Sequence, residues 1–374
     1  MNKLLDATST PLSSIFGSGF LVIVPVLADA VGAWSVLAMA LVCLLAYAVG
    51  AVVRFNIRQA EPVLAEDPGE ATLSFERASD LALILAYVIS ICLYLHILSA
   101  FVLGGIKADT QFNENILTTA VIAFITAVGM TKGLKSLDIL EEWGLWITLL
   151  IISLLLAGFA FYDWNAWQSP AGITLADSLP HTPWEVVTIV AGTLIVVQGF
   201  ETPRYLGDIF DTATRVRASR WSQVLSTGVY IVFVALALPV VHTLNGHYND
   251  NSLIMLVRTA APFLVAPLVI GAALSQFSAA VADTMAATGN IEEVTGGHLK
   301  VRWACALVGL GAVAISWSAS TLEILALASR AFAFYYLLQC LVAITVSQSW
   351  VQRAGIALLA TVLGFIAVFA VPAG

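Results

Sequence analysis

Two short runs put loose backbone and polar groups inside otherwise apolar sequence. One is Gly17-Ser18-Gly19, within the stretch 13–25; the other is Gly199-Phe200-Glu201-Thr202-Pro203, entered from Val197 and Gln198. Glycine costs a helix about 1 kcal/mol relative to alanine, so a helix drawn through either run tends to open. Opening bares N–H and C=O groups, which a bilayer tolerates only beside protein or a water-filled cavity. Bared N–H groups at Gly17, Ser18 and Gly19 would sit at the positive end of the following half-helix and suit an anion such as a carboxylate. Glycine also lets a ligand come close to the backbone. At the second run, carbonyls near Val197 and Gly199 suit an ammonium. Glu201 is an acid within an apolar span, a functional position by default. The plainer readings are a small-residue helix contact at the first run and a static salt bridge from Glu201 to Arg204 or Arg330 at the second.

Other polar residues fall in apolar stretches at helical spacing. Asp283-Thr284, with Ser275 and Ser278 one to two turns earlier, offers oxygen ligands for a hard cation; the alternative is a solvated acid near a span end. Tyr87, Ser90 and Tyr94 form one stripe, which can line a cavity or simply pack. His96 reads as a hydrogen-bonded core histidine. Arg330 sits deep in a span and needs an anion, for which Glu323, Glu201 and Asp283 are candidates.

The elements that must hold these residues are transmembrane helices. Of 374 residues, 60% are hydrophobic and 11% charged, against about 25% charged in a soluble domain, and the mean hydropathy is +0.93. Apolar runs continue for about 20 residues, which excludes the short alternating strands of a membrane barrel. Cys43, Cys92, Cys305 and Cys340 lie in apolar runs without metal or disulfide spacing. There is no basic patch suited to nucleic acid, no Walker motif, no His/Cys metal cluster and no nucleophile–base pair, so an enzyme is not expected. Gly17, Gly19 and Pro25 argue against a signal peptide.

Eleven spans are expected, at 11–30, 33–53, 80–104, 115–130, 142–162, 184–210, 221–244, 262–288, 302–317, 322–347 and 350–371. Polar loops are expected at 54–79 and at 163–183, the second holding Trp164 and Trp167. With the N-terminus in the cytoplasm, 13 of the 16 basic residues fall in inside segments, Lys107 and Arg258 outside, and Arg330 in a span. That bias supports both the count and the orientation, and sets the C-terminus outside. The two breaks lie five spans apart. Five is odd, so the second unit enters the membrane in the opposite sense, an inverted repeat with a solute site between two broken helices. The units are 1–162 and 184–347, with an additional span in 350–374.

Three segments then resemble a known group, the amino acid/polyamine/organocation (APC) transporters. Phe16-Gly17-Ser18-Gly19-Phe20 through Arg54 is similar to their first two helices. The run from Val128 through Gly133 to Lys135 and Ser136 is similar to their link between helices four and five. Val197-Gln198-Gly199-Phe200-Glu201 is similar to their sixth-helix break. The similarity covers residues 10–300. It implies an all-α LeuT-type 5+5 inverted repeat with helices 1 and 6 broken, and secondary active transport of amino acids or related small organic solutes by alternating access. It implies the anion-holding role for Gly17, Ser18 and Gly19, and a sodium site at Asp283 and Thr284 completed by carbonyls of Ser13 and Phe16. The chain departs in having eleven spans against the usual twelve. It also lacks a lysine in the fifth span; Glu141 and Glu142 stand near that place.

The expected protein is thus a multi-pass inner-membrane symporter, coupled to sodium or to protons through Glu201, with solute contacts at Gly17, Ser18, Gly19, Tyr94, Val197, Gly199, Phe200 and Glu201. Its partners are a small molecule (amino acid or organic ion) and the lipid bilayer. No cofactor is expected beyond Na+, and the oligomeric state is left open. A non-transporting membrane receptor on the same fold is the rival. A metal-ion transporter is disfavoured, since the breaks carry no Asp-Pro-Gly-Asn run.

Overall fold

The computed structural model describes residues 3–17, 19–134, 138–170, 172–175 and 180–373, without the side chains of 138–143. The described residues are predominantly helical, and the first pass is split where the glycines fall. Helix α1 (Lys3–Gly17) stops at the first glycine, and α2 (Ile23–Val31) resumes beyond a turn closed by Val22 N–H to Gly19 O, 3.0 Å. Gly19 has φ +125°, a conformation L side chains rarely adopt. Pro25 falls in the first turn of α2, where a missing N–H costs nothing.

The return pass is α3 (Ser35–Phe55), continued by a π-helical turn (Asn56–Ala60) and α4 (Glu61–Glu66). Then come α5 (Glu70–Gly105), α6 (Gln111–Thr131) and α7 (Asp138–Gln168). The region expected as a loop at 54–79 is therefore almost wholly helix. Only 67–69, around Pro68 and Gly69, interrupt it, so the polarity of this segment does not mark the end of the helices. Trp164 and Trp167 likewise lie on the last turns of α7, not in a loop.

The sixth pass is only partly α-helical. A capping box of Thr182 and Glu185 starts α8 (Pro183–Ala191). The chain then runs through a 3-10 turn (Leu194–Val197), an extended Gln198, Gly199 at φ +124°, and a second 3-10 turn (Thr202–Leu206). After it come α9 (Thr212–Ala237), short α10 (Ser252–Ala260), α11 (Val265–Val294), α12 (Val301–Ser316), α13 (Thr321–Val346) and α14 (Trp350–Phe369). Among the described residues, nine helical stretches are long and apolar enough to cross a membrane. The split first pass and the 16-residue α12 bring the passes to eleven.

Helix α5 is the mostly buried centre, packed along α11 and α13. At the rim, α3 turns Leu37, Leu41 and Leu44 outward at helical spacing, as a lipid-facing stripe requires. The last helix is tied to the broken pass. Val371 N–H donates to Thr188 O at 3.1 Å, and Trp184 stands edge-on to Phe365 and Phe369. Arg330, expected to seek a buried anion, instead lies exposed and caps α14, donating to the carbonyls of Ala367 (3.0 Å) and Val368 (2.9 Å). A cation at a helix C-terminus meets the negative end of the helix dipole.

Candidate functional site

The two breaks meet. A Cβ built on Gly199 would lie 2.6 Å from Ser14 Oγ and 2.7 Å from Ile15 N, and one on Gly19 would lie 3.1 Å from Val196 Cγ2. Gly199 thus admits the backbone of the first break, and Gly19 admits the Val196 side chain of the second. Gly17 does a different job: its Cβ would sit 2.9 Å from Ala279 Cβ, so it is the small residue at the α1–α11 crossing. The helix thus packs closely at Gly17 and breaks at Gly19, two positions on. Ser18 lies outside the described residues, as do Lys135 and Ser136 and the side chains of Glu141 and Glu142.

Tyr230 of α9 joins the breaks. Its hydroxyl lies 2.9 Å from Ile15 O and 2.6 Å from Val196 O. A phenol carries one hydrogen, so this proton is shared between one carbonyl from each repeat. The ring is set by Phe16 and Phe20, both fully buried against it, with Phe20 also on Phe233. Val197 is buried beside this cluster, and Phe200 stacks on Tyr336 with ring centroids 5.3 Å apart.

Glu201 is fully buried and folds back over its own break. Its carboxylate accepts from Gly199 N–H (3.0 Å), Gln198 Nε2 (2.5 Å) and Tyr336 Oη (2.8 Å). Three donors converge on this one carboxyl group and offset part of the cost of burying it. The static salt bridge is not found among the described residues: Arg204 pairs with Glu76 and Arg330 caps α14.

Asp283 is 6% exposed and takes the Ser90 hydroxyl of α5, so it is not a solvated acid. Thr284 gives its hydroxyl hydrogen to Ala280 O (2.6 Å), which leaves its oxygen lone pairs for another partner. Ser13 is half-buried on α1. Tyr87 and Tyr94 lie within electrostatic reach of both Glu201 and Asp283, and both are buried.

One residue in this core escaped the sequence reading. Gln276 of α11 is wholly buried, yet neither its amide oxygen nor its nitrogen has a partner among the described residues. Tyr94 Oη makes no bond of normal geometry, only a loose approach to Ser90. A buried polar group left unsatisfied costs roughly 1–3 kcal/mol, which a bound solute or water would relieve. The signal was present: positions 276, 280 and 283 fall at i, i+4, i+7 on one helix face.

The N-terminal face below these breaks is sealed by a buried polar lattice. Arg204 Nη2 meets Glu76 Oε1 at 2.6 Å, and its Nη1 meets Gln339. Gln339 donates to Ser79 (2.5 Å) and accepts from Asn56 (2.9 Å). Arg215 grips Glu61 through two bonds (2.9 and 2.6 Å) and donates to Arg204 O at 3.0 Å. Arg54 engages Gln223, which donates to Ala46 O at 2.7 Å. Sequence reasoning counted these arginines among the inside charges that set orientation, with Arg204 also a candidate partner for Glu201, whereas Arg54, Arg204 and Arg215 are all buried in the lattice.

Two half-helices in opposite senses, meeting at bared backbone under a sealed face, define a LeuT-type transporter architecture. The comparisons agree. A family model described as "APC superfamily transporter" matches residues 1–370. A protein of Aquifex aeolicus (strain VF5), described as uncharacterized, is 36% identical over 98% of this chain and 91% of its own. Among solved structures, Mhp1, a nucleobase-cation-symport-1 family transporter in a closed conformation with bromovinylhydantoin bound, superposes with a TM-score of 0.56. At 12% identity it covers 92% of this chain and 79% of its own, which is a likeness of fold. The chain belongs to the APC superfamily of transporters, and it is a multi-pass membrane protein.

Proposed function

We propose that this secondary transporter carries amino acids or closely related small organic solutes, held at mid-membrane between the two breaks and coupled to an ion. The supporting observation is that Gly199 packs on Ser14 and Ile15 and Gly19 on Val196, both glycines at a φ near +125°, with Tyr230 spanning a carbonyl from either side. N–H groups at the head of α2 suit a carboxylate, carbonyls near Val197 suit an ammonium, and Gln276 and Tyr94 offer the remaining polar contacts. Sodium at Asp283 and Thr284, with backbone oxygens of Ser13 and Phe16, is the preferred coupling ion; a proton on Glu201 is the alternative.

The distribution of lysine and arginine supports a cytoplasmic N-terminus and an outer C-terminus in the cell (inner) membrane. In that orientation the Arg204–Glu76 lattice is a closed inner gate, and rocking one repeat against the other would open it. A second substrate chemistry, a planar ring bearing an amide, is favoured by Gln276, whose amide sets a donor beside an acceptor. The hydantoin held by Mhp1 is of that kind.

The test is uptake of radiolabelled amino acids, with hydantoin and nucleobase as comparators, into proteoliposomes with and without a sodium gradient. Concentrative uptake of an amino acid is expected. Tight binding with no flux under any ion gradient would replace the transporter by a receptor.

A further inference from the structure

A charge inside a membrane span almost always faces the bundle interior or a water-filled cavity. Arg330 faces neither. It lies exposed on α13 between Leu327 and Phe334, exposed residues that share its helix face at i−3 and i+4. Val368 and Phe369 of the neighbouring α14 are exposed as well. The bonds from Arg330 Nε and Nη2 to Ala367 O and Val368 O use two of the five N–H donors of a guanidinium. Neither partner is an anion. No ion pair among the described residues includes Arg330. Glu323, two turns back on the same face, is held instead by the N–H and hydroxyl of Ser320, at 2.7 and 2.8 Å.

The depth of this cation is set by its neighbours. The two carbonyls it caps immediately precede Phe369, the last residue of α14. Phe369 stands edge-on to the exposed indole of Trp184, ring centroids 5.4 Å apart, in the first turn of α8. One helix ends and another begins at this level, and tryptophan concentrates where the headgroups start. A long basic side chain there carries its charge to the headgroups while its stem stays along apolar surface.

The occupant's chemistry follows from these contacts. It must be anionic, because the carbonyls on the guanidinium leave its charge whole. It must offer paired oxygens to a planar fork, as a phosphate does. It must also bring hydrocarbon to lie against Leu327, Phe334 and Val368. A phospholipid meets all three demands. A headgroup with an ammonium of its own would set a second cation beside the first, so a net anionic headgroup fits best. We propose that Arg330 holds the phosphate of an anionic phospholipid, in the leaflet at the C-terminal end of α14, with the acyl chains along the α13–α14 face. The lipid would then sit on the helix that Val371 ties to Thr188 in the second broken pass. This surface belongs neither to the breaks nor to the Arg204 lattice, so the site stands whatever solute is carried.

The test is native mass spectrometry of the full-length protein in neutral detergent, with dioleoylphosphatidylglycerol, dioleoylphosphatidylcholine or inorganic phosphate added. The glycerol lipid is expected to be retained at least tenfold more than the choline lipid, and phosphate neither to bind nor to displace it. Arg330→Gln should remove that preference. Leu327→Glu sets a carboxylate three residues before Arg330 on the same face and should remove it with the α14 caps intact. That variant decides the matter if Arg330→Gln melts early. Arg258→Gln, which removes an exposed cation from the end of α10, should keep the preference. Wild-type preference in both α13 variants, an equal loss in Arg258→Gln, or equal retention of the two lipids would overturn the assignment. So would displacement by phosphate, which would mark an ion site, or a wild-type dimer that Arg330→Gln splits, which would give the charge to a second copy.

Discussion

At the scale of single residues, the site rests on atoms that are absent. Gly199 has φ +124° and backbone 2.7 Å from where its Cβ would stand. Gly199→Ala therefore adds a strained conformation, roughly 1–3 kcal/mol, to a clash with Ser14 and Ile15. It should lower the melting temperature and abolish uptake, whereas Gly228→Ala, where a Cβ meets open space, should do neither. Tyr230→Phe keeps the ring and removes one shared hydrogen. The expected loss is about 1 kcal/mol, seen as weaker solute binding with the helices still in place. If binding is unchanged, the hydroxyl is not part of the site.

At the scale of elements, the gate can be tested apart from the breaks. Glu76→Gln leaves Arg204 buried without its anion, a loss of roughly 3–5 kcal/mol for a buried pair, borne only by the sealed conformer. A cysteine introduced at buried Ser79, in a background lacking the four native cysteines, should then label faster with an impermeant maleimide from the N-terminal side. Unchanged labelling would mean that the lattice does not hold the gate. The breaks themselves were legible because glycine and proline announce a departure from helix in the sequence. The full extent of the second was not. Gly192-Thr193-Leu194-Ile195-Val196-Val197 reads as ordinary apolar helix, yet it is unwound. Ser329 of α13 accepts from Ile195 N–H (3.0 Å) and donates to Gly192 O (2.6 Å), satisfying groups that helix would otherwise pair. The lattice was hidden for a similar reason: Glu76 and Arg204 are 128 residues apart, and only the fold makes them neighbours.

At the scale of the whole molecule, orientation and coupling are open to direct measurement. A tag after residue 370 should be reached by antibody on intact spheroplasts and one before α1 only after lysis; the reverse pattern would invert the proposed topology. Asp283→Asn should flatten the sodium dependence of uptake by tenfold or more while binding at saturating solute persists. An unaltered sodium response would send the coupling ion elsewhere. The eleven passes were readable from hydropathy and charge, since both follow from the bilayer acting on every residue in turn, and the inverted repeat followed once the two glycine breaks were counted five spans apart. Gln276 was not, because its meaning lies in what fails to touch it.

The tie between the last helix and the broken sixth pass carries a mechanical consequence. Through Val371 on Thr188 and the indole of Trp184 against Phe365 and Phe369, the helix that leads into the second break is fastened to a rod with an exposed apolar outer surface. When that segment moves, the rod must sweep through the acyl chains with it. Membrane thickness and lateral tension then act as loads on the transport cycle, felt at the solute without any lipid entering the pocket.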